Sequence, residues 1–158
     1  MKVRDLMTSI PEAVTPDQPV TDAAAIMEEL DVGCVPVVED PESMHLVGAV
    51  TDRDLAVRHV GGGHGPGCQV RRDMTVRKDN ELFVTVRPED TVAHLLGTMA
   101  EHQLRRVPVV EDGDRRLVGI VALADVTRRF GPEHPVEVEQ LLEAISRPTM
   151  EKSVVPAS

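Results

Sequence analysis

Val35-Pro36-Val37-Val38-Glu39-Asp40 returns 72 positions later as Val107-Pro108-Val109-Val110-Glu111-Asp112, with all six residues identical. The flank returns as well, because Leu46-Val47-Gly48 recurs as Leu117-Val118-Gly119, 71 positions later. Matched blocks in the same order indicate a duplicated supersecondary unit whose copies pack against each other. The sequence therefore predicts two similar halves.

Each half predicts the element order β-α-β-β-α. A short extended segment, ending at 14–16 or at 83–86, precedes a helix with one apolar stripe. The stripe residues are Val20, Ala23, Ala24, Met27 and Leu30 in the first half, and Val92, Leu95, Leu96 and Met99 in the second. Val-Pro-Val-Val is short and β-branched, which predicts a strand, and Leu-Val-Gly begins the next one. The last helices are predicted to begin near Thr51 and Ala122.

These patterns predict an α/β protein with a first repeat at 1–60, a linker at 61–69, a second repeat at 70–130, and a C-terminal helix and tail at 131–158. The linker is rich in glycine, which is typical of a flexible connector. A helix is predicted after the second repeat because apolar residues recur there at helical spacing, and we expect it to pack on the module or on a partner subunit. These residues are Val138, Leu141, Leu142 and Ile145.

Composition excludes several classes of protein. The formal net charge of -10, from 27 acidic and 17 basic residues, repels phosphate backbones, so we expect no nucleic-acid partner. The sequence contains no apolar run of the roughly 20 residues that a membrane helix needs. The segment Met1-Lys2-Val3-Arg4-Asp5 does not resemble a signal peptide. We therefore expect a cytoplasmic protein that does not enter a membrane.

Cysteine and histidine residues provide little evidence for catalysis or metal binding. Cys34 and Cys68 are too few for a disulfide scaffold, and we interpret them as one buried thiol and one loop thiol. His59, His64 and Cys68 are close in sequence, but their spacing matches no closed zinc site, so no metal is predicted. No nucleophile and base can be placed on suitable elements, so we expect no enzyme.

Several motifs in the same order resemble a tandem cystathionine-β-synthase-type (CBS) domain pair, also called a Bateman module. They are Val3-Arg4-Asp5-Leu6-Met7-Thr8, the two Val-Pro-Val-Val strands, Leu-Val-Gly, and Thr51-Asp52-Arg53-Asp54-Leu55. The stretches 101–108 and 132–134 further resemble stand-alone actinobacterial members of the hypoxic-response type. The resemblance implies two βαββα repeats packed pseudo-symmetrically.

The same resemblance implies a regulatory module without catalytic activity. Such modules bind an adenosine-containing ligand (AMP, ADP, ATP or S-adenosylmethionine) between the repeats, and they form homodimers through their helices. With no catalytic domain in the sequence, the protein would act in trans on an unknown protein target, and an adenine nucleotide would be its ligand rather than a cofactor. The alternatives are a ligand-free interaction protein and a redox or stress responder that uses its cysteines.

Asp54 and Asp125 are the first candidate binding residues. Family members use the aspartate of a Gly-x-x-[Ser/Thr]-x-x-Asp pattern to hold a ribose diol, and carboxylates form strong charge-assisted hydrogen bonds. The first repeat fits the whole pattern through Thr51, whereas the second has Ala122 at that position. The alternative for Asp54 is a reciprocal helix cap with Thr51. Ala122 has no hydroxyl group, so the alternative for Asp125 is a favourable charge at a helix start.

Arg105 and Arg106 are candidate phosphate ligands, because family members often carry a basic pair before this strand and guanidinium groups suit phosphate oxygens. The alternative is a solvated pair at a helix end. Valines of the repeated segments would form the apolar wall for an adenine ring, or would be core residues. They are Val14, Val35, Val37, Val86, Val107 and Val109.

Overall fold

The structure, a computed structural model, describes residues 1–9, 11–76, 84–111, 113 and 115–148. The predicted tail beyond 148 lies outside the described residues. The helices are α1 (Val3–Leu6), α2 (Val20–Leu30), α3 (Asp52–Asp54), α4 (Val92–His102), α5 (Leu123–Arg129) and α6 (Pro135–Ser146). The strands are β1 (Thr8–Ser9), β2 (Cys34–Val38), β3 (Leu46–Thr51), β4 (Thr75–Val76), β5 (Arg106–Val110) and β6 (Leu117–Ala122). A π-helical turn at Leu55–Val60 continues α3, and a 3-10 turn occupies Val70–Arg72.

The predicted repeat is confirmed in the order of the elements. Helix α2, strands β2 and β3 and helix α3 return as α4, β5, β6 and α5. The first extended segment of each repeat is reduced to a single parallel bridge, Val14 with Val37 and Val86 with Val109. Even an unusual backbone conformation repeats, because the residue after α2 and the residue after α4 both have a φ of 52°.

The two sheets exchange their edge strands. Each sheet has three antiparallel strands, in the orders β2-β3-β4 and β1-β6-β5. Strand β4 follows the linker but pairs with β3 of the first repeat, and β1 lies near the start of the first repeat but pairs with β6 of the second. We call residues 11–76 the first lobe, and residues 1–9 with 84–148 the second lobe. This exchange, which the sequence did not predict, ties each lobe to the chain segment that leads into the other.

The glycine of each Leu-Val-Gly motif lies where an edge strand approaches closely. A Cβ atom on Gly48 would lie 2.2 Å from the carbonyl oxygen of Thr75 in β4. A Cβ atom on Gly119 would lie 2.7 Å from Sδ of Met7 and 3.0 Å from the carbonyl oxygen of Thr8 in β1. Any larger residue would push the edge strand away, so the motif provides the space for the exchanged strands.

Each lobe has its own aliphatic core, and a third cluster joins the lobes. This third cluster consists of Val38, Leu46, Val110 and Leu117. The loops beside it pair across the contact, since the Leu46 N–H donates to the Arg115 carbonyl at 3.0 Å and the Leu117 N–H donates to the Met44 carbonyl at 2.9 Å. The lobes are therefore held face to face by backbone hydrogen bonds as well as by apolar burial.

The predicted C-terminal helix is confirmed as α6, and it packs against α4 of the second lobe. Val138, Leu141 and Ile145 are buried there, but Leu142 is 42% exposed, so it does not belong to the packed stripe. The helix begins with Pro135, whose fixed φ suits the first turn. No helix in the described part of the chain is long and apolar enough to cross a membrane.

Candidate functional site

A cavity of about 510 Å³ lies between the lobes. Its volume is in the range of small-molecule sites. The apolar lining comes mostly from the first lobe, which contributes Pro11, Ile26, Leu30, Val32, Val35 and Pro36, and the second lobe adds Ile120, Ala122 and Ala124. The charged lining from the second lobe consists of Arg106, Asp125 and Arg128, and the first lobe adds Glu12 and Asp31. The cavity therefore offers an apolar surface suited to a ring, mostly from the first lobe, together with side chains of both signs of charge.

Asp125 is held at the start of α5 with its carboxylate buried. One carboxylate oxygen, Oδ2, accepts the N–H of Ala122 at 3.0 Å, and the other, Oδ1, accepts from Nη2 of Arg128 at 3.0 Å. Alanine has no acceptor, so the return bond of a capping box does not exist here. The backbone thus holds one oxygen of the carboxylate. The other oxygen is covered by the long, flexible side chain of Arg128.

Asp54 has a different environment, although it occupies the same position in its repeat. Its amide donates to Oγ1 of Thr51 at 3.0 Å, and its Oδ2 accepts the Thr51 N–H at 2.9 Å. Its Oδ1 lies 3.7 Å from Nε of Arg58. These contacts form the reciprocal cap that was the alternative for this residue. Thr51 lines a smaller adjoining cavity of about 210 Å³, and Asp54 lines neither of the two cavities.

Of the two predicted arginines, Arg106 reaches the cavity. It is the half-buried first residue of β5 and lines both the large cavity and the smaller one. Arg105 is exposed and lies outside, in an open groove that it shares with Arg106 and Arg128. Arg128 was missed from the sequence. Its position three residues after Asp125 on a predicted helix, which places both on one face, was the available signal.

Cys34 faces the same cavity and the smaller one. Burial raises the pKa of its thiol from 9.0 to about 11. The nearby Arg106 guanidinium lowers this pKa, whereas the carboxylates of Asp54 and Asp52 raise it further. Because the thiolate is the reactive form, the thiol is poorly suited to redox sensing at neutral pH. The redox alternative is weakened for this cysteine.

All six predicted valines are at most 1% exposed and belong to the cores of their lobes, and only one of them also borders a cavity. Val35 lines the large cavity. The other five, which are at most 1% exposed, lie in the cores of their own lobes, so their role as cavity wall is corrected. These five are Val14, Val37, Val86, Val107 and Val109. Their side chains are fully covered by the protein and leave no surface for a ligand.

His59 is committed to a structural contact rather than left open for a metal. Its Nδ1 lies 2.7 Å from Oδ2 of Asp73, and its Nε2 lies 2.7 Å from the carbonyl oxygen of Gly65. Both His59 and Asp73 are buried. Both ring nitrogens therefore have a hydrogen-bond partner within the protein. Within the described ranges, no three histidine, cysteine, aspartate or glutamate residues are grouped in a way that could hold a metal ion.

The profile of the CBS domain matches this chain twice, at residues 3–60 and 80–131. The chain belongs to the CBS-domain family. This CBS-domain pair is 34% identical over 145 residues to hypoxic response protein 1 of Mycobacterium tuberculosis. The aligned region covers 92% of this chain and 94% of that protein. The expected similarity to hypoxic-response members is thereby confirmed.

Two solved structures resemble this CBS-domain pair closely. Hypoxic Response Protein I, described with two coordinated zinc ions, matches with a TM-score of 0.69 and 32% identity, over 82% of this chain and 98% of that one. CBSX2, described in complex with AMP, matches with a TM-score of 0.68 and 28% identity, over 84% and 97%. The predicted Bateman architecture of two packed repeats is therefore confirmed.

Proposed function

We propose that this CBS-domain protein is a non-catalytic cytoplasmic sensor that binds an adenosine-containing ligand in the cavity between its lobes and acts in trans on a protein target. The observation that carries this proposal is that a buried carboxylate, Asp125, and the side chain of Arg106 line the same cavity, which also has an apolar lining. A carboxylate suits a ribose diol, a guanidinium suits a phosphate, and an apolar wall suits a base. The AMP complex of the related CBSX2 supports the same ligand class.

A ligand in this cavity would signal by changing how the two lobes are arranged, because both lobes line the cavity. The first lobe contributes most of the apolar lining and the second lobe contributes Arg106 and Asp125, so a ligand that contacts both sides joins the lobes. Such a ligand favours whichever arrangement of the lobes brings the walls together, by as much as its affinity differs between arrangements. AMP, ADP, ATP and S-adenosylmethionine share the adenosine unit and differ in the charge presented near Arg106.

Isothermal titration of the purified protein with AMP, ADP, ATP, S-adenosylmethionine and adenosine tests the proposal. We expect at least one to bind, and Asp125→Ala to weaken that binding about tenfold or more, since a charge-assisted hydrogen bond contributes roughly 1.5–3 kcal/mol. Asp54→Ala is the matched control, because Asp54 is the capping residue of the other repeat. It should lower the melting temperature and leave the affinity within about twofold.

Failure of every adenine compound to bind wild-type protein would overturn the proposal in favour of a ligand-free interaction protein. A native mass spectrum of freshly purified protein checks the same point independently, because it reports any ligand retained from the cell. The expectation that the chain holds no metal stays a prediction, and zinc analysis of the same sample tests it.

We further propose a homodimer formed through the helices of the first lobe. Helix α6 covers α4 in the second lobe, and the first lobe exposes Val57 and Val60 on the π-helical turn that continues α3. Burying such a surface contributes roughly 25 cal/mol per Å² of apolar area. Light scattering at micromolar concentration should give twice 17.2 kDa, and Val57→Asp with Val60→Asp should give the monomer. A wild-type species of 17.2 kDa alone would contradict this assembly.

A further inference from the structure

Arg128 covers the carboxylate that the proposed ligand needs. Its Nη2 donates to Oδ1 of Asp125 at 3.0 Å, while the other oxygen of Asp125 is taken by the backbone of Ala122. Oδ1 is therefore the oxygen that faces a ligand. A ribose hydroxyl that donates to Oδ1 has to compete with the guanidinium for the same side of the carboxylate.

The side chain of Arg128 can move away from Asp125. The side chain of Arg128 is 72% exposed, whereas that of Asp125 is 10% exposed. Its second contact in the described structure is a long one, from Nε to the carbonyl oxygen of Ala124 at 3.4 Å. An ion pair with one partner this exposed is weak, because water and salt screen it. Asp125 stays in place through its backbone bond when Arg128 moves.

A destination for the guanidinium lies in the same groove. Arg128 lines the open groove that also holds Arg105 and Arg106, and it lines the large cavity together with Arg106. A phosphate held by Arg106 therefore lies in a groove that the Arg128 side chain also lines. Guanidinium groups form charge-assisted hydrogen bonds with phosphate oxygens as well as with carboxylates, so a phosphate can replace Asp125 as the partner of Arg128.

We propose that Arg128 is a specificity residue that exchanges partners. It pairs with Asp125 in the empty cavity and moves to the phosphate when a nucleotide binds. This inference rests on the proposed adenosine site. An unphosphorylated adenosine must displace Arg128 and offers it no new partner, whereas a nucleotide displaces it and recaptures it. The same residue therefore weakens binding of the nucleoside and strengthens binding of the nucleotide.

If Arg128 exchanges partners, its substitution should change the affinities for adenosine and AMP in opposite directions. Loss of an ordinary phosphate contact would not do this. Arg128→Gln removes the competitor for Asp125, so adenosine should bind about two- to fivefold more tightly, the range expected for a screened ion pair. AMP should bind about tenfold more weakly, because a charge-assisted phosphate contact is lost. The ratio of the two affinities should fall by roughly twentyfold or more, by combination of the same two effects.

Isothermal titration of wild-type protein and variants with adenosine and AMP measures this ratio. Arg129→Gln is the matched control, because Arg129 is the next residue of α5 and its Nη1 donates to the carbonyl oxygen of Asp5, at 3.3 Å. It should leave both affinities unchanged. Arg128→Lys should retain part of the AMP affinity, since it keeps the charge without the fork. Thermal melts of all three variants verify that they are folded.

Two results would overturn the exchange. A parallel fall of adenosine and AMP affinity in Arg128→Gln would show that Arg128 supports the cavity rather than competing with the ribose. Unchanged adenosine affinity with weaker AMP binding would show a phosphate contact without partner exchange. Both are read from the variant. Absence of adenosine and AMP binding in wild-type protein would instead overturn the adenosine site itself, and the exchange with it.

Discussion

The two lobes have the same backbone arrangement but differ in the side chains and flanking segments around it. Strands β2 and β3 pair in the same register as β5 and β6, and the register shifts at the same place in both, after Val37 and after Val109. The loops between these strands even share a left-handed residue, Met44 with a φ of 54° and Arg115 with a φ of 57°. The duplicated core thus preserves the fold, and the positions around it are free to diverge.

One divergence is at the end of the last helix of each repeat. His59 in the first lobe corresponds to Phe130 in the second, 71 positions later. His59 binds Asp73 and Gly65 and so fastens the glycine-rich linker. Phe130 is buried in the core that α6 completes, and its ring stacks on His134 with centroids 4.0 Å apart. The last helix of each repeat thus packs against the chain segment that follows it. The contact is polar in the first repeat and apolar in the second.

A second divergence faces the cavities. Arg105, Arg106 and Arg128 of the second lobe correspond to Gly33, Cys34 and Val57 of the first. All three guanidinium groups therefore belong to one repeat, together with the aspartate that lacks a reciprocal cap. Under the proposed function, this asymmetry predicts one phosphate-binding site in each chain rather than two.

The largest expected effect concerns the closure of the first lobe. His59→Ala leaves the buried carboxylate of Asp73 without its partner, and removal of one member of a buried pair typically costs about 3–5 kcal/mol. Urea denaturation should show this decrease in the free energy of unfolding. The control is His64→Ala, a half-buried neighbour whose ring centroid is 5.7 Å from that of His59. We expect a change of about 1 kcal/mol or less for it. Equal losses would refute the closure role.

The next effect tests the asymmetry of the cavities. Arg106→Ser imitates the cysteine of the first lobe without adding a second thiol, and it should weaken AMP binding about tenfold or more. Adenosine binding should be unchanged, because only the phosphate contact is removed. Arg105→Ser is the control, and we expect less than about a threefold loss, since Arg105 is exposed in the outer groove. If both ligands weaken equally, Arg106 acts through folding.

The features that the sequence predicted are those with a strong local or repeated pattern. The duplication, α2, α4 and α6 follow from repeated motifs and apolar spacing, and capping chemistry offered the Thr51 cap as one of two interpretations of Asp54. The exchange of edge strands could not be predicted, because β1 and β4 have two residues each and carry no periodicity. Their partners are set by Gly48 and Gly119, which lie far away in sequence.

The candidate site was only partly predictable for a similar reason. Asp125 and Arg106 belong to motifs and were identified, and both line the cavity. Five valines of the same motifs face the cores, because which side of a strand meets a cavity depends on how the lobes dock. The same docking brings Ile26 and Leu30 to the cavity wall, although on their own helix they are members of an unremarkable apolar face.

The smallest effect concerns Cys34, which occupies the position of Arg106. With its pKa raised to about 11, its thiolate fraction near pH 8 is about 100-fold below that of a thiol with the ordinary value of 9.0. The remaining thiolate is more nucleophilic, with a Brønsted slope of about 0.4–0.5, so the net rate of alkylation falls roughly tenfold. The loss is largest below pH 9 and disappears as the pH approaches the raised value.

Iodoacetamide labelling of a Cys68→Ser variant between pH 7 and 10.5 measures this rate. In folded protein the rate should still be rising at pH 10, whereas in urea it should level off near pH 9, because unfolding removes the burial that raises the pKa. Saturating AMP should slow labelling further, since Cys34 lines the proposed site. A plateau near pH 9 in folded protein would show that Cys34 is solvated and reactive. The first lobe would then carry a thiol able to respond to oxidants at the position where the second carries Arg106.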